Sequence, residues 1–597
     1  MLRHAARPFS AVALGRLSWL LYAALFASYG SDACAISDKS NFDGPAELPR
    51  IYLRTALSDT PAPRNVRVVR QDENLQAAID NAKCGDTLKL QAGATFRGLF
   101  LLPAKSCDAA HWIIVRTSAP DESLPPEGTR ISPCYSGIAA LPGRPDFHCT
   151  AAKPVTAKIE FNGKNGSGPL MLMAGANHYR LLGLEITRSE DTGASVGTLL
   201  SVQAAKERNT STQIIVDRVW LHGNAQDETG RGVHLNGTTY FAVIDSYFSD
   251  FHCIAATGSC TDAQAIAGGS GDSPGGPYKI LNNFLEGSGE NILFGGGPGT
   301  TTPADIEIRR NHLFKPLIWK QGQPGFVGGV SGRPFIVKNH FELKNGERVL
   351  FEGNVLENSW GGFSQAGFSV LLTPKNQANR CPDCRVTDVT IRYNKISHVG
   401  AALQIANALS GAKGSTKAGE RYSIHDLIVD DIDDTTYRGF GSFALIVSTI
   451  PQLRDVRIDH VTAFPPRVLM SFLNSSNNPK IENLSVTNSV FAASRRQISS
   501  AGGGPGNCAF RAEQLQPDGV LKNCVINPVF SHNVIVGGTG KWPADNLLVK
   551  QADEAQFLGR GHSREGGAGS AGVRVGSDGR NIGADSEAVE RATEGVM

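Results

Sequence analysis

IEIRRNHLF at 306–314, VLFEGNVLE at 349–357 and VTIRYNKIS at 389–397 are three versions of one phrase: alternating apolar residues, a polar turn around an Asn, and a second apolar step. Six more variants flank them: IIVDRVWLHG at 214–223, VIDSYFSDF at 243–251, KILNNFLEG at 279–287, VRIDHVTAF at 456–464, LSVTNSVFA at 484–492 and VFSHNVIVG at 529–537. Alternation with period 2 sends Val, Ile and Leu to one face of a strand and polar residues to the other. Recurrence at intervals of roughly 25 to 45 residues implies a solenoid or a propeller. Propeller blades need four strands and a steadier length, whereas these units vary as coils with loops inserted on one side do. The expected architecture is therefore all-β, a single-stranded parallel β-helix. In it the Asn residues at 283, 311, 354, 394 and 533 are expected to take left-handed turn geometry and bond to local backbone.

The totals agree with a folded chain rich in turns. Hydrophobic residues make up 41% and charged residues 19%, with 66 glycines, which excludes a disordered polyelectrolyte. A formal charge of +2 over 597 residues leaves no basic footprint for nucleic acid. At the N-terminus Arg3, Arg7 and Arg16 precede an apolar run from Leu17 to Ala27, too short to span a bilayer comfortably, and Ala33-Cys34-Ala35 offers a cleavage site. Residues 1–35 are thus read as a signal peptide, giving a secreted, periplasmic or cell-envelope protein with no membrane association after cleavage. The alternative is a permanent membrane anchor. Ten cysteines then remain. Sequence neighbours couple as Cys84 with Cys107, Cys134 with Cys149, Cys253 with Cys260, Cys381 with Cys384, and Cys508 with Cys524, since stacked coils bring adjacent loops together. Cys381-Pro-Asp-Cys384 is also open to a redox or zinc reading, although no second C-x-x-C accompanies it.

Asn74 to Gly98 reads NLQAAIDNAKCGDTLKLQAGATFRG. Asp72 stands where it can cap a short helix with Leu75, Ala78, Ile79 and Ala82 on one face, and a strand follows with Leu88 and Leu90 inward. This segment resembles the N-terminal capping helix and first coil of the pectate-lyase-like (pectin lyase-like) right-handed parallel β-helix superfamily. The resemblance implies right-handed winding, a stacked Asn ladder and a monomer. The expected organisation is an N-terminal extension at 36–65, the β-helix at 66–540, and a C-terminal cover or flexible tail at 541–597.

In that superfamily the strand after the Asn turn lines the substrate groove. Here those strands read RGVHLN at 231–236, DAQAIAGG at 262–269, ENILFGG at 290–296, PLIWK at 316–320, FELKN at 341–345, GFSVLLTPK at 367–375, AALQIAN at 401–407 and FALIVST at 443–449. With Leu343 inward, alternation turns Glu342 and Lys344 outward, and a similar count exposes His234, Trp319, Thr373 and Gln404. Such a row offers a ring face for sugar and charged groups for hydroxyls and carboxylates. Glu342-Leu343-Lys344-Asn345 also resembles the strand of alginate- and chondroitin-type polysaccharide lyases that carries a Glu and a basic Lys.

Carried over residue by residue, this second resemblance implies Lys344 as the base, Glu342 as calcium ligand or orienting group, and Arg348 or Lys320 as the clamp on the uronate carboxylate. Trp319, Lys320, His234, Gln404 and Lys375 are the expected substrate-binding residues. The chain departs from the family where an Arg-His pair is usual, because Phe363-Ser364-Gln365 stands there. A lysine base also needs a lowered pKa, and a neighbouring carboxylate raises it; the competing view is an exposed Glu342–Lys344 ion pair of little energetic weight. Calcium is the expected cofactor, on Glu342, Asp262 and Asp272. Asp262, Asp272 and Glu290, near the glycine-rich loops at 267–277 and 294–299, are alternatively the paired acids of a glycoside hydrolase. Trp319 is open to coil packing instead of a sugar platform, the reading to prefer if its neighbours are apolar. The expectation is a carbohydrate-active protein with polysaccharide as its partner, most simply a polysaccharide lyase. A glycoside hydrolase or a non-catalytic carbohydrate-binding or surface-structural β-helix are the alternatives.

Overall fold

The computed structural model describes residues 41–597, apart from 148–150, 191–192, 204–209, 255–259, 364, 376–379, 408–415, 475–477 and 551–575. The expected signal peptide and Cys149 lie outside the described residues. The three phrases quoted first each form two strands around the polar turn: Ala304–Arg309 and His312–Phe314, then Gly346–Glu352 and Val355–Ser359, then Val386–Arg392 and Lys395–Val399. Equivalent strands of successive units pair in parallel, Ile308 opposite Phe351 and Phe351 opposite Ile391. Among the described residues these strands make one wide sheet of 27. A narrower sheet of 12 takes one strand from each coil, from Phe100–Leu102 to Ile498–Ser500. One continuous apolar core runs from Val69 to Trp542. Long parallel sheets with few helices are what stacked coils of a β-solenoid produce.

The polar turns bind the coils together. Asn283 Nδ2 donates to Asn311 Oδ1 at 2.9 Å, Asn311 Nδ2 to Asn354 Oδ1 at 3.1 Å, and Asn354 Nδ2 to Asn394 Oδ1 at 3.1 Å. Each Oδ1 also accepts the backbone N–H of the preceding rung, at 2.8 to 3.0 Å. The left-handed residue is not the rung, as expected from the sequence, but the one before it: Asn282 (φ 56°), Arg310 (φ 54°), Gly353 (φ 63°), Tyr393 (φ 56°) and His532 (φ 57°). Bending the chain one residue early leaves the Asn in ordinary geometry, free to point inward and meet its neighbour.

At the first coil, helix Leu75–Asn81 buries Leu75, Ala78 and Ile79. Its N-cap is Asn74, whose side chain accepts from Ala77 N at 2.9 Å, rather than the expected Asp72. Gln76 donates to Leu101 O at 3.0 Å and accepts from Leu101 N at 2.8 Å, so one side chain occupies the backbone of an edge strand that would otherwise recruit another chain. Disulfides join Cys84 to Cys107, Cys253 to Cys260, Cys381 to Cys384 and Cys508 to Cys524.

Both ends of the described chain are laid along the wide sheet. Near the N-terminus, Asp43 meets Arg392 at 2.7 Å and His425 at 3.0 Å, Arg50 N donates to Asp305 at 2.9 Å, and Leu53 O accepts from Lys279 at 3.0 Å. In the C-terminal region, Leu547–Val549 adds a further strand, and residues 576–597 return along the sheet. There Arg580 pairs with Asp426 at 2.7 Å, and Arg310 donates to Ala592 O at 2.9 Å.

The ladder predicts an uneven response to mutation. Asn354→Ala leaves the buried backbone N–H of Asn311 and one hydrogen of its Nδ2 without an acceptor and should cost about 2–4 kcal/mol, at about 1–3 kcal/mol per unmet buried group. Arg495→Ala, on the exposed surface, should stay within about 0.5 kcal/mol. Urea unfolding midpoints of the two variants check this.

Candidate functional site

Alternation breaks at one place in strand after strand of the narrow sheet, and that break builds the site. Consecutive residues both enter the core: Leu199 and Leu200, Ala265 and Ile266, Ala402 and Leu403, Phe443 and Ala444, Leu469 and Met470. The amides of Asn291 and Ile292 both reach His340 O, each at 3.0 Å, and those of Leu469 and Met470 both reach Gln497 O, at 2.9 and 3.2 Å. Two residues opposite one make a β-bulge, which re-aims the side chains before it. Strict alternation from Val233, Ile266 and Ile292 would send Arg231, Gln264 and Glu290 into the core. The stacked bulge instead sets them outward in a register-aligned row with Thr198. A second outward row carries His234, Ala267, Leu293, Glu342, Leu371 and Gln404.

Charged groups converge where the rows pass Glu290 and Glu342. Lys338 Nζ lies 2.9 Å from Asp262 and 3.5 Å from Glu290, and Lys344 Nζ lies 3.0 Å from Glu342. Gln264 donates to Glu290 at 2.9 Å, and Asn339 to Glu342 at 3.4 Å. Glycine makes the close approach possible: a Cβ on Gly289 would stand 2.6 Å from Asp262 Oδ1. Beside the cluster, the hairpin of Gly361–Gly362 and Gln365–Ala366 carries Phe363, 56% exposed, with Lys338 Nζ 5.9 Å from its ring centre.

The environments split the carboxyl groups. Burial, reinforced by the charge of Glu290, pushes Asp262 up to about 7 against the pull of Lys338. Burial also works to raise Glu290, but Lys338 and Lys344, with the hydrogen bond from Gln264, outweigh it and hold Glu290 at about 2. Glu290 Oε1 accepts no hydrogen bond among the described residues and has Lys338 Nζ 3.5 Å away. The opposite shifts favour a proton on Asp262 over one on Glu290. Burial raises Glu342 as well, with Lys344 opposing. Lys315, fully buried, donates to Ser288 O at 3.3 Å and Gly289 O at 3.1 Å and also meets Gly287 O, tying down the turn that leads into Glu290.

Several sequence expectations change. Leu343 is in the core, with Glu342 and Lys344 in the cluster, but Lys344 is not a free base: although burial opposes it, Glu342 and Glu290 raise its pKa. Arg348 is no clamp. The chain has by then turned onto the wide sheet, where Arg348 pairs with Asp305 at 2.8 Å and with Glu347. PLIWK makes no strand of the narrow sheet, because residues 295–340 leave it between Glu290–Phe294 and Phe341–Leu343. Trp319 is accordingly 1% exposed, packed edge-on to His252 at 5.5 Å and Phe335 at 5.6 Å. Lys320 flanks the same turn, its pKa lowered by burial and by Arg438.

His234 and Gln404 stand in the outer row, three coils before Glu342 and two after it. Burial and Arg231 hold the His234 imidazole at about 4, hence neutral. Thr373 is buried, and Lys375 is exposed just past the strand, its amide 3.4 Å from Lys344 O. Asp272 is exposed on its loop and in no ion pair among the described residues.

These residues do not fit calcium, which needs several converging oxygens. The carboxylates of Asp262, Glu290 and Glu342 face ammonium groups instead. Among the described residues the one convergent trio of possible ligands is Glu228, Cys253 and Cys260, and both sulfurs are in a disulfide. Sequence reasoning missed Lys338, Gln264, Arg231 and Phe363. The doubled apolar pairs in the narrow-sheet strands were the available signal for Gln264 and Arg231; none marked Lys338 at the end of a long excursion.

The two aromatic residues should separate cleanly. Trp319→Ala should cost about 3–5 kcal/mol in stability while leaving any glycan binding by the folded variant unchanged. Phe363→Ala should leave stability within about 0.5 kcal/mol and weaken binding several-fold to about tenfold, as loss of one ring face implies. Thermal unfolding and affinity electrophoresis in polysaccharide gels measure both.

No protein-family model matches the chain, and no curated protein does. Solved structures with similarity include an alginate lyase from Paenibacillus sp. str. FPU-7, at 14% identity over 73% of this chain and 94% of that one, TM-score 0.32. Another is the PL6 family polysaccharide lyase Pedsa3628 from Pseudopedobacter saltans, at 12% identity over 82% and 94%, TM-score 0.37. A third is the tailspike protein gp49 of Acinetobacter baumannii bacteriophage Fri1, a capsular polysaccharide depolymerase, at 8% identity over 73% and 60%, TM-score 0.28. Likeness at this level carries no argument about chemistry, which rests on the residues above.

Proposed function

We propose that this chain is an exported, right-handed β-helical enzyme that cleaves a uronate-containing polysaccharide over Asp262, Glu290 and Glu342. The observation that carries the reading is the Asp262–Glu290 pair, whose surroundings push the two carboxyls apart and which is flanked by Lys338 and Lys344 on the outer face of a continuous sheet beside an exposed ring. Export is supported by four disulfides in the described chain, which persist in oxidising compartments.

In β-elimination the C5–H bond of a uronate breaks, its electron pair forms the C4–C5 double bond, and the C4–O bond breaks as the leaving oxygen takes a proton. The α-proton becomes acidic when positive charge neutralises the uronate carboxylate, a task for Lys338 and Lys344. Asp262, ionised at and above its pKa of about 7, accepts the proton in place of the ion-paired Lys344. Glu290, ionised throughout, keeps the two ammonium groups in position.

A glycoside hydrolase is the second reading, favoured by the same split, which keeps Asp262 available as a protonated acid for the leaving oxygen. The pH dependence separates the two. An elimination base must be ionised, so kcat/KM should rise as pH climbs through about 7; a hydrolytic acid must be protonated, so kcat/KM should fall there. With alginate, polygalacturonate and glycosaminoglycans as substrates, elimination yields ultraviolet-absorbing unsaturated ends, and hydrolysis yields reducing ends without them. Asp262→Asn should lower either activity by about 10²–10⁴-fold. Undiminished cleavage by that variant would contradict both readings.

A further inference from the structure

Arg231 is the one residue of the bulge-aligned row whose charge the described protein leaves unanswered. It stands in register with Gln264, which is in register with Glu290. Stacked strands lie roughly 4.8 Å apart, so Arg231 sits roughly 10 Å along the groove from the Asp262–Glu290 pair. Its side chain turns outward because the next two positions face the core: a Cβ on Gly232 would meet the Phe248 ring at 2.7 Å, and Val233 is fully buried. The guanidinium enters no ion pair or hydrogen bond among the described residues, and its Nε is buried without an acceptor. The lysines of the cluster each already face a protein acceptor: Lys338 faces Asp262 and Glu290, Lys344 faces Glu342, and Lys315 faces backbone carbonyls. His234, on the same strand, is held neutral by burial and by Arg231 itself and adds no negative charge.

A partly buried guanidinium without an acceptor is costly to keep unless something supplies one, and its planar fork matches an oxyanion in two-point contact. We propose that Arg231 is the anion-recognition residue of a second sugar subsite, binding a carboxylate or sulfate borne by the polysaccharide two coils from the reacting unit. This extends the proposed groove and rests on that reading for the location of the chain. It makes the enzyme selective for polymers charged at successive units, because the clamp at the cluster and the one at Arg231 would engage different sugars. Arg231 is a specificity residue and takes no part in bond breaking.

The test measures binding of the full chain to size-defined oligomers of alginate, of chondroitin sulfate and of neutral dextran, for the wild type, Arg231→Gln and Arg231→Lys. Arg231→Gln should weaken binding of an anionic oligomer by about ten- to a hundredfold, as loss of a charged hydrogen-bonded contact does. Arg231→Lys should retain part of the affinity, and dextran should not discriminate between variants. Loss with alginate assigns the ligand group as carboxylate; loss confined to chondroitin sulfate assigns it as sulfate. Equal affinity of wild type and Arg231→Gln for every anionic oligomer, or no binding of any by the wild type, overturns the proposal. Failure is separable from that of the catalytic reading. Cleavage that needs Asp262 but is indifferent to Arg231→Gln removes this inference alone; Arg231-dependent binding without cleavage of any polymer removes the catalytic reading alone.

Discussion

Parallel stacking of one coil on the next is the constraint from which the rest follows. A parallel strand is satisfied only by a neighbour at the same register, so every coil must repeat the geometry of the last at the turns and at the bulge. The Asn283–Asn311–Asn354–Asn394 ladder enforces this at one corner, where each side chain serves the coil before and the coil after. A ladder of this kind converts local turns into long-range order, because shifting one rung leaves buried partners on two coils unsatisfied.

The same repetition creates the site. A bulge in a single strand would re-aim one residue; a bulge stacked through the narrow sheet re-aims a row, setting Arg231, Gln264 and Glu290 outward in register next to the row that carries Glu342. Residues as far apart in the chain as Asp262 and Lys344 then share one electrostatic environment. Its composition is unusual for a structural surface. Asp262 held near 7 favours its protonated form, so the folded chain keeps a proton that the unfolded chain loses above its ordinary value of 3.8. From this group, stability therefore falls as pH rises from about 4 to 7 and levels off above that. A fold under no functional demand has no evident reason to retain such a group, and this supports a role in proton transfer.

The fold was legible because period-2 alternation around a polar turn recurs in nine places, five of them turning on an Asn, and because helix Leu75–Asn81 announces its amphipathic face. Alternation made Glu342, Leu343 and Lys344 legible, and the glycine-rich loops drew attention to Asp262 and Glu290 as alternative paired acids. The outward aim of Glu290 and Arg231 was not legible, since one extra residue inverts the parity of everything before it, and the strand expected at Trp319 failed, since an apolar phrase inside the 295–340 excursion reads like a strand but packs as a buried turn. Lys338 reaches the carboxylates through that excursion, whose path depends on tertiary packing around Trp319, Phe335 and Trp360. The left-handed position moved by one residue for a related reason: composition marks the turn, while the demand for an inward-facing rung decides which residue bends.

The account stands on the proton held by Asp262 beside Glu290. Carboxyl-carbon NMR of protein labelled with ¹³C at aspartate side chains measures it directly. One aspartate should titrate at about 7, be absent from Asp262→Asn, and move toward the ordinary range in Glu290→Gln, where the neighbouring negative charge is gone. If every aspartate in the folded protein titrates below about pH 5, in the usual carboxyl range, Asp262 holds no such proton and the assignment of the site fails.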